Sequence, residues 1–364
     1  MIQKFCLVAG ARPNFMKIAP LIHELIKKQV PYTLVHTGQH YDTNMSKVFF
    51  DDLKIPLPDY YLNVGSASHA VQTAKIMIEF EKFILKERPM IVVVVGDVNS
   101  TIACALVAKK LGIKIAHVEA GLRSFDQTMP EEINRILTDQ LSDFLFITEE
   151  SAMVNLINEG INPDKIFFVG NVMIDTLIKN LEKANKINVL SKFKLENKNF
   201  ALVTFHRPSN VDQKEDLQRI LEILGYLQEK LTIFFPIHPR TKKNIDKFKL
   251  GEFIKNKNII LSEPISYLDF LSLMNKSRML LTDSGGIQEE ASYLRVPILT
   301  VRNNTERPIT IDKGTNTLVG KNLEEIKVLT GDILNGRYKK GEDIEKWDGH
   351  SAERIIKILI EALL

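Results

Sequence analysis

The chain has 364 residues, 45% of them hydrophobic, and its 48 Lys+Arg against 45 Asp+Glu leave a formal charge of +3. At roughly 150 residues per domain this length favours two domains. The basic residues are scattered, which argues against a nucleic-acid stripe or a polybasic membrane patch.

The chain opens on Met-Ile-Gln-Lys and passes directly into an apolar strand, without the pattern of a signal peptide. No apolar run approaches the roughly 18 residues of a membrane helix. Strands are expected at Lys4–Ala9, Tyr32–His36, Ile91–Gly96, Lys114–Glu119, Phe144–Thr148 and Lys165–Val169, with helices such as Ala70–Lys86 and Ser100–Leu111 between them. A stretch poor in apolar residues, Lys183–Asn199, reads as an interdomain connection. The rhythm then resumes with strands at Phe200–His206, Thr232–His238, Asn258–Leu261, Met279–Thr282, Val296–Val301 and Thr317–Val319. Ser351–Leu364 is an amphipathic helix able to pack on either half. Continuous apolar strands alternating with helices imply α/β domains with parallel sheets covered on both faces. Cys6 and Cys104 lie singly in apolar runs. That argues against a disulfide framework and a cysteine-based zinc site, and a cytoplasmic protein is expected.

Ligands of open α/β sheets sit beyond the carboxyl ends of the strands. Those ends carry Asp97, Glu119, Glu149 and Asn171 in the first half and His206, His238, Glu263, Asp283 and Arg302 in the second. Gly10-Ala11-Arg12-Pro13-Asn14-Phe15-Met16-Lys17 follows the first strand and opens a helix. It is neither a dinucleotide fingerprint nor a P-loop. Arg12 and Lys17 at a helix start suit a phosphate or pyrophosphate, or else are solvated turn charges. Asp283-Ser284-Gly285-Gly286, running from a strand into a helix, makes a diphosphate cradle, and Glu290 on that helix suits a ribose diol or merely favours the helix dipole. His117 and Glu119 point to one face of their strand, but the Pro-Cys-x-x-Cys partner of a zinc deaminase is missing, so no metal site is expected. Glu131 opens a helix behind Pro130. A capping box with Thr128 and an i,i+4 pair with Arg135 are its structural rivals for a catalytic role.

In order, GARPNFMKIAPL, GDVNST, HVEAGLRS, MPEEINR, VGN, HRPSN, HPR, TDSGGIQEE and TERP run from residue 10 to 308. This ordered set resembles the non-hydrolysing UDP-N-acetylglucosamine 2-epimerases. The resemblance implies a fold like that of B-type glycosyltransferases, with two Rossmann-like domains whose parallel sheets face a cleft. Residues 1–183 would carry the catalytic carboxylates and 184–350 would bind UDP, with 351–364 a helix able to cross back to the first domain. By motif, Asp97, Glu119 and Glu131 would be the catalytic carboxylates, with His206 counted in the catalytic set and also holding the UDP. Arg12, Lys17, Phe270, Ser284, Gly285, Gly286, Glu290 and Arg307 would bind the UDP-sugar, Phe270 near the uracil. A cytoplasmic homodimer making cell-surface polysaccharide precursors, without cofactor, metal, membrane or nucleic acid, is what the resemblance implies. His206-Arg207-Pro208-Ser209-Asn210 stands where many bacterial members read His-Arg-Arg-Glu, and the stretch after Gln39-His40 also differs. An enzyme without strict activation by a second UDP-sugar is therefore expected.

The chemistry narrows the route. The hydrogen on a carbon bearing an acetamido group is not acidic, and no dinucleotide fingerprint supports oxidation at the neighbouring C3. Loss of the anomeric UDP builds oxocarbenium character at C1, which acidifies C2–H and permits elimination to a glycal. Re-addition of UDP with protonation on the opposite face inverts C2. The route needs a base, an acid and cations for the diphosphate. Alternatives left open are a UDP-diacetamido uronic acid as substrate, a UDP-sugar glycosyltransferase of the same fold, a hydrolysing epimerase and a non-catalytic UDP-sugar sensor.

Overall fold

A computed structural model describes residues 4–38, 50 and 52–363, and of Arg12 the backbone only. The stretch after Gln39-His40 and the side chain of Arg12 thus lie outside the described residues.

The chain divides into two compact units, Met1–Lys179 with Glu345–Leu364, and Asn180–Ile344. The first unit is built on a seven-stranded sheet of order β3-β2-β1-β4-β5-β6-β7. Its strands are β1 Phe5–Ala9, β2 Tyr32–His36, β3 Tyr60–Tyr61, β4 Ile91–Val95, β5 Lys114–Val118, β6 Phe144–Ile147 and β7 Ile166–Phe168. The second holds six strands in the order β10-β9-β8-β11-β12-β13. These are β8 Phe200–Thr204, β9 Thr232–Pro236, β10 Ile259–Ser262, β11 Met279–Thr282, β12 Ile298–Thr300 and β13 Asn316–Leu318. Every pairing is parallel. Each sheet grows outward in both directions from its first strand, the doubly wound pattern of a Rossmann-like fold, so the expected fold class holds in both units.

The strands are legible because helices bury them on both faces: β1 and β4 read Phe-Cys-Leu-Val-Ala and Ile-Val-Val-Val-Val, wholly buried. Expected helices appear at His69–Glu87 and Asn99–Lys110. The strand Tyr60–Tyr61 was not expected; it is a two-residue edge strand just after Pro56 and Pro58, too short to show a pattern. Around Lys183 the backbone is helical, Val172–Lys186 and then Val189–Lys192, and the division between units falls inside the longer helix.

The final helix, Ser351–Leu363, belongs to the first unit. Asp175 accepts its first amides, from Ser351 (3.2 Å) and Ala352 (2.7 Å), while Arg354 Nη1 donates to the Val169 carbonyl (2.9 Å). Trp347 Nε1 reaches the Thr148 carbonyl at 3.3 Å. Among the described residues no helix is long and apolar enough to cross a membrane.

Candidate active site

In the first unit, the turn after β1 is shaped by Asn14. Its Oδ1 accepts from the amides of Gly10 (3.0 Å) and Ala11 (2.8 Å), and its Nδ2 donates to the Val95 carbonyl at 3.1 Å. That bond ties the start of helix Arg12–Lys27 to the end of β4. The amides of Gly10 and Ala11 are therefore already capped within the turn. Lys17 is not a solvated charge: it is buried and ion-paired with Glu119.

Glu119 directly follows β5 and has φ +74°. A non-glycine residue there costs of order 1–3 kcal/mol, and such strain persists only where the surroundings over-determine it. The carboxylate lies against Gly96, after β4, which itself has φ +65°. A Cβ on Gly96 would stand 2.7 Å from Lys17 Nζ and 3.4 Å from Glu119 Oε2. The glycine is needed both for its backbone and for this close approach.

Asp97 is held from the helix Pro130–Leu141. Arg135 Nη1 pairs with its carboxylate, and Asn134 Nδ2 donates to its carbonyl at 2.9 Å. Arg135 also binds Glu132 (2.6 Å), and Glu132 accepts from the amides of Ser124 (3.0 Å) and Phe125 (2.8 Å). The rival capping box at Thr128 does not form. Met129 is the N-cap and supplies no side-chain bond, while Thr128 donates instead to Asp126 (2.6 Å). The side chain of Glu131, half-buried on the first turn, has no hydrogen-bond partner among the described residues. Its structural rivals thus fall away: Arg135 goes to Asp97 and Glu132.

In the second unit, Asp283 follows β11 and is fully buried. It accepts from the amides of His206 (3.1 Å) and Arg207 (2.9 Å), from Asn210 Nδ2 (3.1 Å) and from His206 Nδ1 (3.1 Å). Burial alone would raise this carboxyl, but the His206, Arg207 and Asn210 bonds outweigh it and hold it below its ordinary value. His206 is thereby fixed with its ring partly exposed.

Ser284 is the N-cap of helix Gly285–Tyr293 and makes no side-chain cap bond. A Cβ on Gly285 would stand 2.7 Å from Glu306 Oε1 and 2.8 Å from Arg307 Nη1. Gly286 follows on the same first turn. Arg307 is buried at that helix start and paired with Glu306 and with Glu289 (3.0 Å), while Arg302 Nη2 takes the other oxygen of Glu306 at 2.8 Å. Glu290 is also buried. Burial pushes its carboxyl up to about 7, Glu289 adds to the rise, and the Tyr267 hydroxyl, donating at 2.8 Å, opposes it. Phe270 lies half-buried one turn beyond Tyr267 on helix Tyr267–Lys276.

The structure thus brings Lys17, Asp97 and Glu119 to neighbouring strand ends of one unit, with Glu131 on the helix that holds Asp97. It brings His206, Ser284, Gly285, Gly286, Glu290 and Arg307 to those of the other. Sequence reasoning missed Asn14, Asp139 and Tyr267. Asp139 pairs with His117 (2.6 Å) and Arg123 (2.7 Å) and not with Arg135 four residues before it, so spacing along its helix gives no signal for it. Among the described residues no group of three His, Cys, Asp or Glu is arranged to hold a metal.

The chain resembles known proteins over nearly its whole length. The family model described as UDP-N-acetylglucosamine 2-epimerase matches residues 23–360. A curated UDP-N-acetylglucosamine 2-epimerase of Methanocaldococcus jannaschii is 47% identical over 363 residues, covering 98% of this chain and 99% of its own. A UDP-2,3-diacetamido-2,3-dideoxy-D-glucuronate 2-epimerase of Pseudomonas aeruginosa is 42% identical over 323 residues, 87% of this chain and 88% of its own. Among solved structures, the Methanocaldococcus jannaschii UDP-GlcNAc 2-epimerase in complex with UDP-GlcNAc and UDP superposes with a TM-score of 0.91 at 46% identity, over 99% of this chain and 100% of that one.

Proposed function

This chain belongs to the UDP-N-acetylglucosamine 2-epimerase family and is a C2 epimerase of a UDP-N-acetyl sugar; from that premise we propose how its residues divide the work. UDP leaves C1 as a base removes the C2 proton, which gives a glycal and free UDP. UDP then re-adds at C1 while an acid protonates C2 on the opposite face. Atoms balance without a redox partner. Asp97, Glu119 and Glu131 serve the proton steps, and the charges of Arg12 and Lys17 offset the developing negative charge. His206, Ser284, Gly285, Gly286, Glu290 and Arg307 hold the UDP moiety, with Phe270 near the base; no resident metal or cofactor takes part.

The single observation that carries this reading is Glu119, a carboxylate kept in a strained backbone conformation against Lys17 and Gly96. UDP-N-acetylglucosamine incubated with the protein in deuterated water tests it. Proton NMR should show the manno epimer with deuterium at C2, and product without deuterium would count against the elimination route.

A second substrate reading rests on the Pseudomonas aeruginosa relative, so the UDP-diacetamido uronic acid belongs in the same assay. A cytoplasmic homodimer completes the proposal. Exposed Ile133 and Leu137 on helix Pro130–Leu141, with Val71 and Ile78 on helix His69–Glu87, support an association face, and sedimentation equilibrium reads the mass.

A further inference from the structure

Behind Glu119 lies a buried pair that none of the roles above uses. His117, wholly buried on β5, donates from Nδ1 to Asp139 Oδ1 (2.6 Å) and faces the Gly96 carbonyl with Nε2 (2.9 Å). Its two ring nitrogens thus face two oxygens brought from different elements, a carboxylate and a main-chain carbonyl. Asp139, also wholly buried, accepts on its other oxygen from the Gly121 amide (3.0 Å) and from Arg123 Nη2 (2.7 Å). Arg123 is anchored in turn by Glu159 at 2.6 Å. Burial alone would raise the Asp139 carboxyl; His117 and Arg123 outweigh it and hold it below its ordinary value.

The pair therefore grips the main chain at two points. One is Gly96, next to Asp97, and the other is Gly121, two residues beyond Glu119. Between them the amides of Glu119 (3.0 Å) and Ala120 (3.1 Å) share the Phe146 carbonyl. A need to fill the core does not account for this arrangement, because apolar side chains of similar volume are often at least as stabilising as a buried ion pair.

We propose that His117 and Asp139 are positioning residues for the epimerisation, fixing the main chain at Gly96–Asp97 and at Glu119–Gly121 so that both carboxylates meet the sugar at set places. Neither touches substrate; they act through the backbone. The inference rests on the reading of Asp97 and Glu119 as proton-transfer groups.

The test compares Asp139→Asn, His117→Gln and Glu119→Gln with the unaltered chain, using UDP-N-acetylglucosamine in deuterated water. The two dyad variants should lose about 10–10²-fold in kcat, the scale of an ångström of misplacement. KM and UDP affinity by calorimetry should stay within about twofold. The ratio of released UDP plus glycal to epimerised product should rise several-fold, because a displaced acid is late in returning the proton. That ratio does not depend on how much of the sample is folded, so it separates positioning from mere loss of protein. If Asp139→Asn fails to fold, His117→Gln, which keeps an amide donor, decides alone. Dyad variants with unchanged ratio and unchanged kcat per UDP-binding molecule, beside an inactive Glu119→Gln, would overturn the proposal. Full turnover in Glu119→Gln would instead overturn the proton-transfer reading, and the dyad's role with it.

Discussion

Gly96→Ala separates backbone strain from active-site geometry. At φ +65°, any residue with a Cβ is strained by about 1–2 kcal/mol. That corresponds to a fall in Tm of roughly 2–8 °C for a unit of this size. The new methyl would also stand 2.7 Å from Lys17 Nζ, closer than a Cβ tolerates, so the ammonium must move off Glu119. Lys17 has a flexible stem and can yield, so the larger effect falls on catalysis: a shift near an ångström at a catalytic contact costs about 10²-fold. Gly112→Ala is the matched control. Its φ of +71° imposes the same strain, with nothing within 4 Å of the added carbon. Calorimetry should give both variants similar losses of Tm, and NMR turnover should show a large loss of kcat in Gly96→Ala alone. Equal kcat in the two would refute the argument that the space at Gly96 is reserved for the Lys17–Glu119 pair.

Asp97→Asn, Glu119→Gln and Glu131→Gln should each lower kcat by roughly 10²–10⁴-fold. Glu131→Gln should do so with unchanged Tm, since that side chain caps nothing; a fall in Tm with turnover intact would restore the capping role. Burial raises the Glu290 carboxyl to about 7, above its ordinary 4.5, so its contribution to stability is full below about pH 4.5 and lost as pH rises through 7. Glu290→Gln should therefore gain Tm relative to the unaltered chain at pH 8 but not at pH 4, and should weaken UDP binding by calorimetry; parallel Tm curves across that range would contradict it. Activity should survive dialysis against a chelator, and restoration by Mg²⁺ of a lost rate would count against the proposed division of labour. Starting from the manno epimer alone, turnover should begin without a lag; a lag abolished by a trace of the gluco epimer would reveal a requirement for a second UDP-sugar.

The fold was legible because its physics is local and repeated. A parallel sheet covered on both faces needs continuous apolar strands, and Ile91–Val95 and Phe200–Thr204 are that pattern at its plainest. Tyr60–Tyr61 escaped because an edge strand of two residues has no period to display. Helix Val172–Lys186 ran further than expected because Lys and Asn are compatible with an exposed helical face, so low hydrophobicity alone did not mark a linker.

In the site, residue types were legible and pairings were not. Spacing along one helix offered Arg135 to Glu131, yet the guanidinium reaches Asp97 at the end of β4, a partner that only sheet order supplies. Lys17 and Arg307 read as cations for a diphosphate, but each is buried against carboxylate: Lys17 against Glu119 from far along the chain, Arg307 against Glu289 of the helix Gly285–Tyr293 and against its own neighbour Glu306. The glycines show the same thing from the other side. Gly285 stands out in sequence as an amide donor at a helix start, and the structure adds a second reason for it: Glu306 and Arg307 occupy the place of its missing Cβ. At Gly96 the occupants are Lys17 and Glu119. In both units, a motif glycine marks where a buried ion pair is pressed against the end of a strand; Glu306 and Arg307 are neighbours in sequence, but their approach to Gly285, like that of Lys17 and Glu119 to Gly96, comes only with the fold.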